Sequence, residues 1–277
     1  MMSSLLACSD CFESVNRACT ASTYLPLVFL KIIELDKMET IQQQMVEEKK
    51  NVSIILKYFP IMGAAERVRL ALWLGGIAFD DVRVPHTDWV ELKDQTPFGQ
   101  LPVMSIDGGP YIAQSNAMLQ YVATLAPKLC LANQFLEVQE AIGLVDDFER
   151  SWRPCIGLAL EPEVLGYGIA APTASFIKGS PQLLETIKAL RKAFLAKEMP
   201  KYCGFFSTMI EKTGGPFLCG AEPTLADCCL VPVLERYTLG FIGHVPKDTL
   251  DAYPVMARYL DAFKALPQVR AYEQSKA

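Results

Sequence analysis

The order of apolar patterns along the chain is the feature that most constrains its fold. Between residues 52 and 127, short runs of apolar and β-branched residues alternate with segments of helical period. The predicted strands are 53–58, 79–84, 103–106 and 111–113, and the predicted helices are 64–75, a short one before the third strand, and 115–125. Strands that alternate with helices are typical of a βαβ unit with a right-handed crossover. The last two strands flank a Gly-rich turn and predict an antiparallel hairpin, so the domain has the order βαβ-ββα.

The strand signals stop after Pro127. Apolar residues at helical spacing recur in the segments 136–153, 181–196, 202–212, 225–239 and 254–266. Thr224 and Asp227 have the spacing of a capping box that starts one of these helices, which we assign to folding. The sequence therefore predicts an α/β domain over residues 52–127 followed by an all-helical domain over residues 135–277.

The first 51 residues have a different composition. Polar residues interrupt the apolar ones up to residue 24, an apolar stretch follows, and residues 38–50 are rich in Gln, Glu and Lys. We interpret residues 1–51 as an appended, disordered tail and linker. Asp10 and Glu13 fit neither a secretory signal nor a transit peptide, although an organelle address and a translation start at Met38 remain open alternatives.

Composition excludes several classes of function. The chain of 277 residues is 51% hydrophobic and 21% charged with a net charge of −5, which excludes disorder of the whole chain and disfavours nucleic acid as a partner. No apolar run reaches the roughly 20 residues that a membrane span needs. Nine cysteines, an odd number that includes the adjacent Cys228 and Cys229, favour a reducing compartment such as the cytoplasm over a disulfide framework. With two histidines we expect no metal site.

Several short motifs occur in a fixed order along the chain. They are Tyr58-Phe-Pro, Asp88-Trp89, Thr96-Pro-Phe-Gly-Gln-Leu-Pro-Val103, Gln114-Ser-Asn-Ala117, and Gly215-Pro-Phe-Leu-Cys-Gly220 followed by Thr224-Leu-Ala-Asp227. Together they resemble the glutathione S-transferases over about residues 52–272, and most closely the classes that use a catalytic tyrosine, with sigma nearest. The resemblance implies a thioredoxin-like N-terminal domain, an all-helical C-terminal domain and a homodimer.

The resemblance implies that Tyr58 is the catalytic residue. In the family, a tyrosine hydroxyl at this place donates a hydrogen bond to the thiolate of glutathione, the co-substrate. A free thiol has a pKa near 8.5. A hydrogen bond to a charged group contributes about 1.5–3 kcal/mol, or about one to two pKa units. Tyr58 alone could therefore make much of the bound thiol nucleophilic at neutral pH.

The resemblance also implies the residues that bind glutathione. Trp89, Lys93 and Gln100 would contact its glycyl end. The backbone of Leu101, before a cis bond to Pro102, would pair with its cysteinyl part as an added strand does. Gln114 and Ser115 would bind its γ-glutamyl carboxylate at a helix N-terminus, where Ser115 would also act as N-cap. Asp147 would be the acid that the family takes from the partner subunit, unless the alignment slips and places Arg150 there.

The second substrate would lie against apolar side chains. We expect Phe59, Met62, Ala64 and Trp152 to line its pocket, which favours hydrophobic electrophiles and a role in detoxification. The tyrosine classes commonly carry Arg-Gly-Arg after the first strand, whereas this chain has Met62-Gly63-Ala64. The leading hypothesis is a conjugating enzyme, of which a sigma-like prostaglandin isomerase is a narrower version. The rival, supported by the two missing arginines, is a non-catalytic protein that binds glutathione or apolar ligands or has a structural role.

Overall fold

The computed structural model describes residues 52–160 and 180–276. From Ser53 onward the chain forms one compact unit. The predictions made for residues 1–51, including the tail and the start at Met38, lie outside the described residues. The division into domains at residues 127 and 135 stays a prediction.

The N-terminal part is built on a four-stranded mixed sheet in the order β2-β1-β3-β4. Strands β1 (Ile54–Tyr58) and β2 (Asp80–Arg83) are parallel. Strand β3 (Val103–Ile106) is antiparallel to β1, and β4 (Ile112–Ala113) is antiparallel to β3. This topology confirms the predicted βαβ-ββα order and the thioredoxin-like fold class.

Three helices connect or follow these strands. Helix α1 (Glu66–Gly75) is the crossover between β1 and β2, and Gly76 ends it in the left-handed conformation with φ of 70°. Helix α2 (Trp89–Leu92) follows β2, and helix α3 (Ser115–Leu125) follows β4. Most of α1 is buried, because it packs against α3 and against the helical part of the chain.

The C-terminal part is helical, as predicted. It contains α4 (Phe135–Leu160), α5 (Pro181–Thr213), α6 (Leu225–Glu235), α7 (Pro254–Lys264) and α8 (Pro267–Ser275). The prediction of two helices over 181–196 and 202–212 was wrong, because α5 continues through Pro200 with buried residues on both sides. Helix α8 was not predicted, since only Val269 and Tyr272 of its nine residues are buried and its apolar pattern is weak.

Aromatic side chains form the core between α4, α5 and α6. Phe148 and Trp152 of α4 contact Phe194 of α5 and Tyr237, which follows α6, with ring centroids 4.8–6.1 Å apart. Such pairs contribute about 0.5–1.5 kcal/mol each beyond their buried area. In the described part of the chain, no helix is both long enough and apolar enough to cross a membrane.

The capping box at α6 is confirmed. Thr224 is the N-cap, and its backbone N–H donates to the Asp227 carboxylate at 2.7 Å. The same fully buried carboxylate accepts hydrogen bonds from the N–H of Leu218 and the hydroxyl of Tyr259, both at 3.0 Å. Asp227 therefore joins the loop before α6, the start of α6 and helix α7.

Candidate active site

The register of the sheet gathers several predicted site residues at one edge. Lys57 of β1 pairs with Val103 of β3, and Val103 pairs with Ala113 of β4. One residue further along each strand, Tyr58, Pro102 and Gln114 therefore lie side by side across three strands. The Leu101–Pro102 peptide bond is cis, which confirms the prediction.

The hydroxyl of Tyr58 is held by the backbone that follows β1. The N–H of Ala64 donates to the Tyr58 oxygen at 3.1 Å. Gly63, with φ of 44°, lets the chain turn close to the ring, and a Cβ on Gly63 would lie 2.3 Å from that oxygen. Only glycine fits this approach. Tyr58 is 9% exposed, so its ring is packed and its orientation is fixed.

Phe59 joins Tyr58 to the residues after β2. Its ring centroid is 5.5 Å from that of Tyr58 and 5.7 Å from that of Trp89, with an edge-on arrangement to Trp89. The ring of His86 stacks on Phe59 at 4.5 Å. Sequence reasoning missed His86, because a lone exposed histidine after a strand carries no local signal. Phe59 therefore connects the ring of Trp89 to that of Tyr58.

Gln100 and Gln114 are in direct contact. The side-chain amide of Gln114 donates to that of Gln100 at 3.3 Å. The exposed Lys93 side chain passes 3.2 Å from the Cβ position of Gly99, one residue before Gln100. The surface around Gln114 therefore also contains Gln100, Lys93 and the cis Pro102.

The N-cap of α3 differs by one residue from the prediction. Gln114, not Ser115, occupies the N-cap position, and Ser115 is the first residue of the helix. Gln114 has φ of 75°, which a non-glycine residue adopts only at a cost on the order of 1–3 kcal/mol. The first N–H groups of α3, directly after Gln114, have no acceptor within the helix, as at helix N-termini in general. Such an end favours an anionic group.

Three of the predicted site residues are elsewhere. Asp147 lies on α4 with its side chain 53% exposed, and it pairs with Arg150 at 2.6 Å, so both candidates for the partner-subunit role contact each other. Trp152 is 1% exposed within the aromatic core and offers a ligand almost no surface. Met62 borders a cavity of about 750 Å³ between the loop after β1 and helix α8.

The cysteines of the described residues are unsuitable as nucleophiles. They are free thiols, and all but the half-buried Cys130 are buried. Burial raises the pKa of the Cys155 and Cys219 thiols to about 11 and that of the Cys203 and Cys229 thiols to about 12. Because the thiolate is the reactive form, the described part of the chain supplies no activated sulfur of its own.

The fold and the sheet edge define a protein with a thioredoxin-like domain that carries a tyrosine in place of redox cysteines, followed by a helical domain. Comparison with known families agrees. The glutathione S-transferase N-terminal domain matches residues 62–125, and the C-terminal domain of the same family matches residues 172–276. The chain belongs to the glutathione S-transferase family, and it is a transferase with glutathione as its co-substrate.

The alignments with individual relatives cover most of both chains. Glutathione S-transferase 1 of Ascaris suum is 26% identical over 220 residues, which cover 78% of this chain and 93% of the relative. Among solved structures, prostaglandin synthase D of Nilaparvata lugens is 24% identical with a TM-score of 0.63, covering 81% of this chain and 99% of that one. A monomeric glutathione S-transferase of Necator americanus is 23% identical with a TM-score of 0.62, covering 81% and 98%. At these identities the solved structures support the fold.

Proposed function

We propose that this chain conjugates the thiolate of glutathione to hydrophobic electrophiles, with Tyr58 as the catalytic residue. The hydrogen bond from the Ala64 N–H to the Tyr58 oxygen carries the proposal. This bond occupies a lone pair of the oxygen and leaves the hydroxyl proton for a ligand. Because hydrogen bonds in a chain polarise one another, by perhaps 10–30% per bond, the same contact strengthens the hydroxyl as a donor.

The reaction needs the thiol of glutathione as its anion. The thiol proton leaves to solvent, and the Tyr58 hydroxyl donates to the remaining thiolate. The sulfur then forms a bond to an electrophilic carbon while the bond to the leaving group breaks and that group departs with the electron pair. For a chloronitrobenzene the leaving group is chloride. Tyr58 supplies electrostatic stabilisation, and the surrounding residues hold the sulfur in position.

Glutathione would lie along the sheet edge described above. We assign its glycyl end to Trp89, Lys93 and Gln100, its cysteinyl amide to the backbone of Leu101 beside the cis Pro102, and its γ-glutamyl carboxylate to Gln114, Ser115 and the N-terminus of α3. The contact between Gln100 and Gln114 supports this assignment, because it makes the two ends of the edge one surface.

The missing arginines change the electrophile side of the site. Met62 and Ala64 carry no charge, so the Ala64 backbone is the donor nearest the Tyr58 oxygen among the described residues. We therefore assign an apolar electrophile, with Phe59 and the Ala64 methyl group in its pocket. A sigma-like prostaglandin isomerisation is the second candidate, supported by the fold shared with a prostaglandin synthase of Nilaparvata lugens.

The assembly and the setting belong to the same proposal. We propose a cytoplasmic detoxification enzyme that forms a homodimer, in which Asp147 of one subunit faces the glutathione of the other. Light scattering tests the dimer. If the protein is a monomer, like the monomeric glutathione S-transferase of Necator americanus that shares its fold, the role assigned to Asp147 is removed.

Turnover distinguishes the enzyme from a non-catalytic binding protein. The protein is passed over immobilised glutathione and then assayed for conjugation of a chloronitrobenzene, alongside Tyr58→Phe. We expect the parent and the variant to be retained equally, with turnover in the parent at least about tenfold higher, since the lost hydrogen bond to a charged group is worth about 1.5–3 kcal/mol. Retention without any turnover by the parent would favour the binding protein.

A further inference from the structure

A buried ion pair lies behind the catalytic tyrosine. Glu66 and Arg69, one turn apart on α1, are 2% and 0% exposed, and their charged groups are 3.0 Å apart. Neither residue belongs to the sheet edge assigned to glutathione. Since a buried ion pair can often be replaced by apolar residues without loss of stability, stability alone is a weak reason for this pair.

Arg69 holds the turn that carries the Tyr58 contact. Its Nη1 atom donates to the carbonyl oxygens of Ile61 and Met62, each at 3.1 Å. These two residues come directly before Gly63 and Ala64. Fixing both carbonyls therefore fixes the place from which the Ala64 N–H reaches the Tyr58 oxygen.

Arg69 also faces the ring of Tyr58 and the neighbouring strand. Its guanidinium carbon is 5.7 Å from the Tyr58 ring centroid. Its Nε atom donates to Asp81 of β2 at 3.1 Å. One side chain thus contacts the ring, the turn and the adjacent strand, and a shift of the guanidinium would be transmitted to all three.

The last helix holds the other end of this pair. The Tyr272 hydroxyl of α8 and the Lys276 ammonium group just after it donate to the same oxygen of Glu66, at 2.9 and 2.8 Å. Burial raises the pKa of Tyr272, so its hydroxyl stays protonated and remains a donor at neutral pH. The chain of contacts runs from α8 through Glu66 and Arg69 to the turn before Ala64.

We propose that Arg69 is a positioning residue for Tyr58, and that Glu66, Tyr272 and Lys276 hold Arg69 in place, so that the last helix sets the alignment of the catalytic hydroxyl. This inference rests on the proposed role of Tyr58. Its physical basis is geometric, because a misplacement of about 1 Å at a reacting group can lower a rate by about 100-fold. None of these four residues is among those assigned to glutathione or to the electrophile.

The test uses the full chain with Tyr272→Phe and Lys276→Met. Arg270→Met is the matched control, because it removes an exposed cation from the same helix. The measurements are kcat, KM for glutathione, and the pKa of the bound thiol from its ultraviolet thiolate absorbance. Each of Tyr272→Phe and Lys276→Met removes one hydrogen bond to the Glu66 carboxylate, which should lower kcat by about two- to tenfold, raise the pKa of the bound thiol, and leave KM unchanged. The control should match the parent in all three.

Arg69→Lys adds a direct test. The lysine keeps the charge but cannot reach the two carbonyl oxygens and Asp81 together. Arg69→Lys should therefore lower kcat more than Tyr272→Phe or Lys276→Met does. If Arg69→Lys fails to fold, Tyr272→Phe and Lys276→Met still test the positioning role. Unchanged kcat and thiol pKa in Tyr272→Phe and Lys276→Met, with only a lower melting temperature, would overturn the positioning role and leave Tyr58 as proposed. A parent that leaves the bound thiol pKa near 8.5 would overturn both.

Discussion

Replacing Gly63 by alanine should damage catalysis far more than stability. The new methyl carbon would lie 2.3 Å from the Tyr58 oxygen and 2.6–2.8 Å from two ring carbons, whereas carbon atoms in contact are ordinarily about 3.5–4.0 Å apart. The ring or the turn must therefore move by about 1 Å. Such a movement breaks the hydrogen bond from Ala64 and displaces the hydroxyl from the thiolate.

The expected magnitude follows from this displacement. A shift of about 1 Å at a catalytic group is worth about 100-fold in rate, or about 2.7 kcal/mol of transition-state stabilisation. Stability falls as well, by about 1–2 kcal/mol, because an L-residue is strained at the positive φ of this position. The assay is kcat/KM for a chloronitrobenzene together with a thermal melt.

Gly76→Ala is the matched control. Gly76 also has a positive φ, of 70°, but nothing lies within 4 Å of its Cβ position. It should lose similar stability and keep its kcat/KM. If Gly63→Ala retains kcat/KM within about twofold of Gly76→Ala, the reasoning about the Tyr58 contact is wrong, since uniform strain would then explain both variants.

Further predictions concern the capping box, the aromatic stack and the thiols. Asp227→Ala should lower the free energy of unfolding by at least about 3 kcal/mol in denaturant titrations, because several buried donors lose their acceptor; a loss under about 1 kcal/mol would show that water replaces the carboxylate. His86→Ala should raise KM for glutathione several-fold with kcat unchanged, because Phe59 loses the ring that stacks on it at 4.5 Å, and an unchanged KM would remove His86 from the site. Burial raises the pKa of Cys203 and Cys229 from 9.0 to about 12, so the stabilisation from these neutral thiols is complete below about pH 9 and is lost toward pH 12. Melting temperatures should therefore fall as the pH rises above about 9, and replacing either cysteine by alanine should flatten that fall; a melting temperature that is constant from pH 9 to 11 would contradict it.

Sequence reasoning succeeded where periodicity and turn chemistry act locally. The strands, the crossover helix and the capping box at Thr224 follow from spacing alone, and the motifs around Tyr58 and Pro102 identified the family. It failed at Pro200, where tertiary burial on both sides outweighs the one backbone hydrogen bond that proline removes from a helix.

Several details of the site cannot be predicted from the local sequence. Gln114 rather than Ser115 is the N-cap of α3, and nothing in the local sequence indicates the positive φ that Gln114 has there. The donor to the Tyr58 oxygen is the backbone N–H of Ala64, which has no signature in the side-chain sequence. Glu66 and Tyr272 are 206 residues apart, so only the fold brings them together.

The pKa of the glutathione thiol bound to this protein is the most direct test of the account. It is measured by titrating the ultraviolet absorbance of the thiolate in complexes with the parent and with Tyr58→Phe, at saturating glutathione. The account predicts a pKa about one to two units below the free value of about 8.5 in the parent and a return toward that value in the variant. A bound thiol with the same pKa in both proteins would contradict the role of Tyr58.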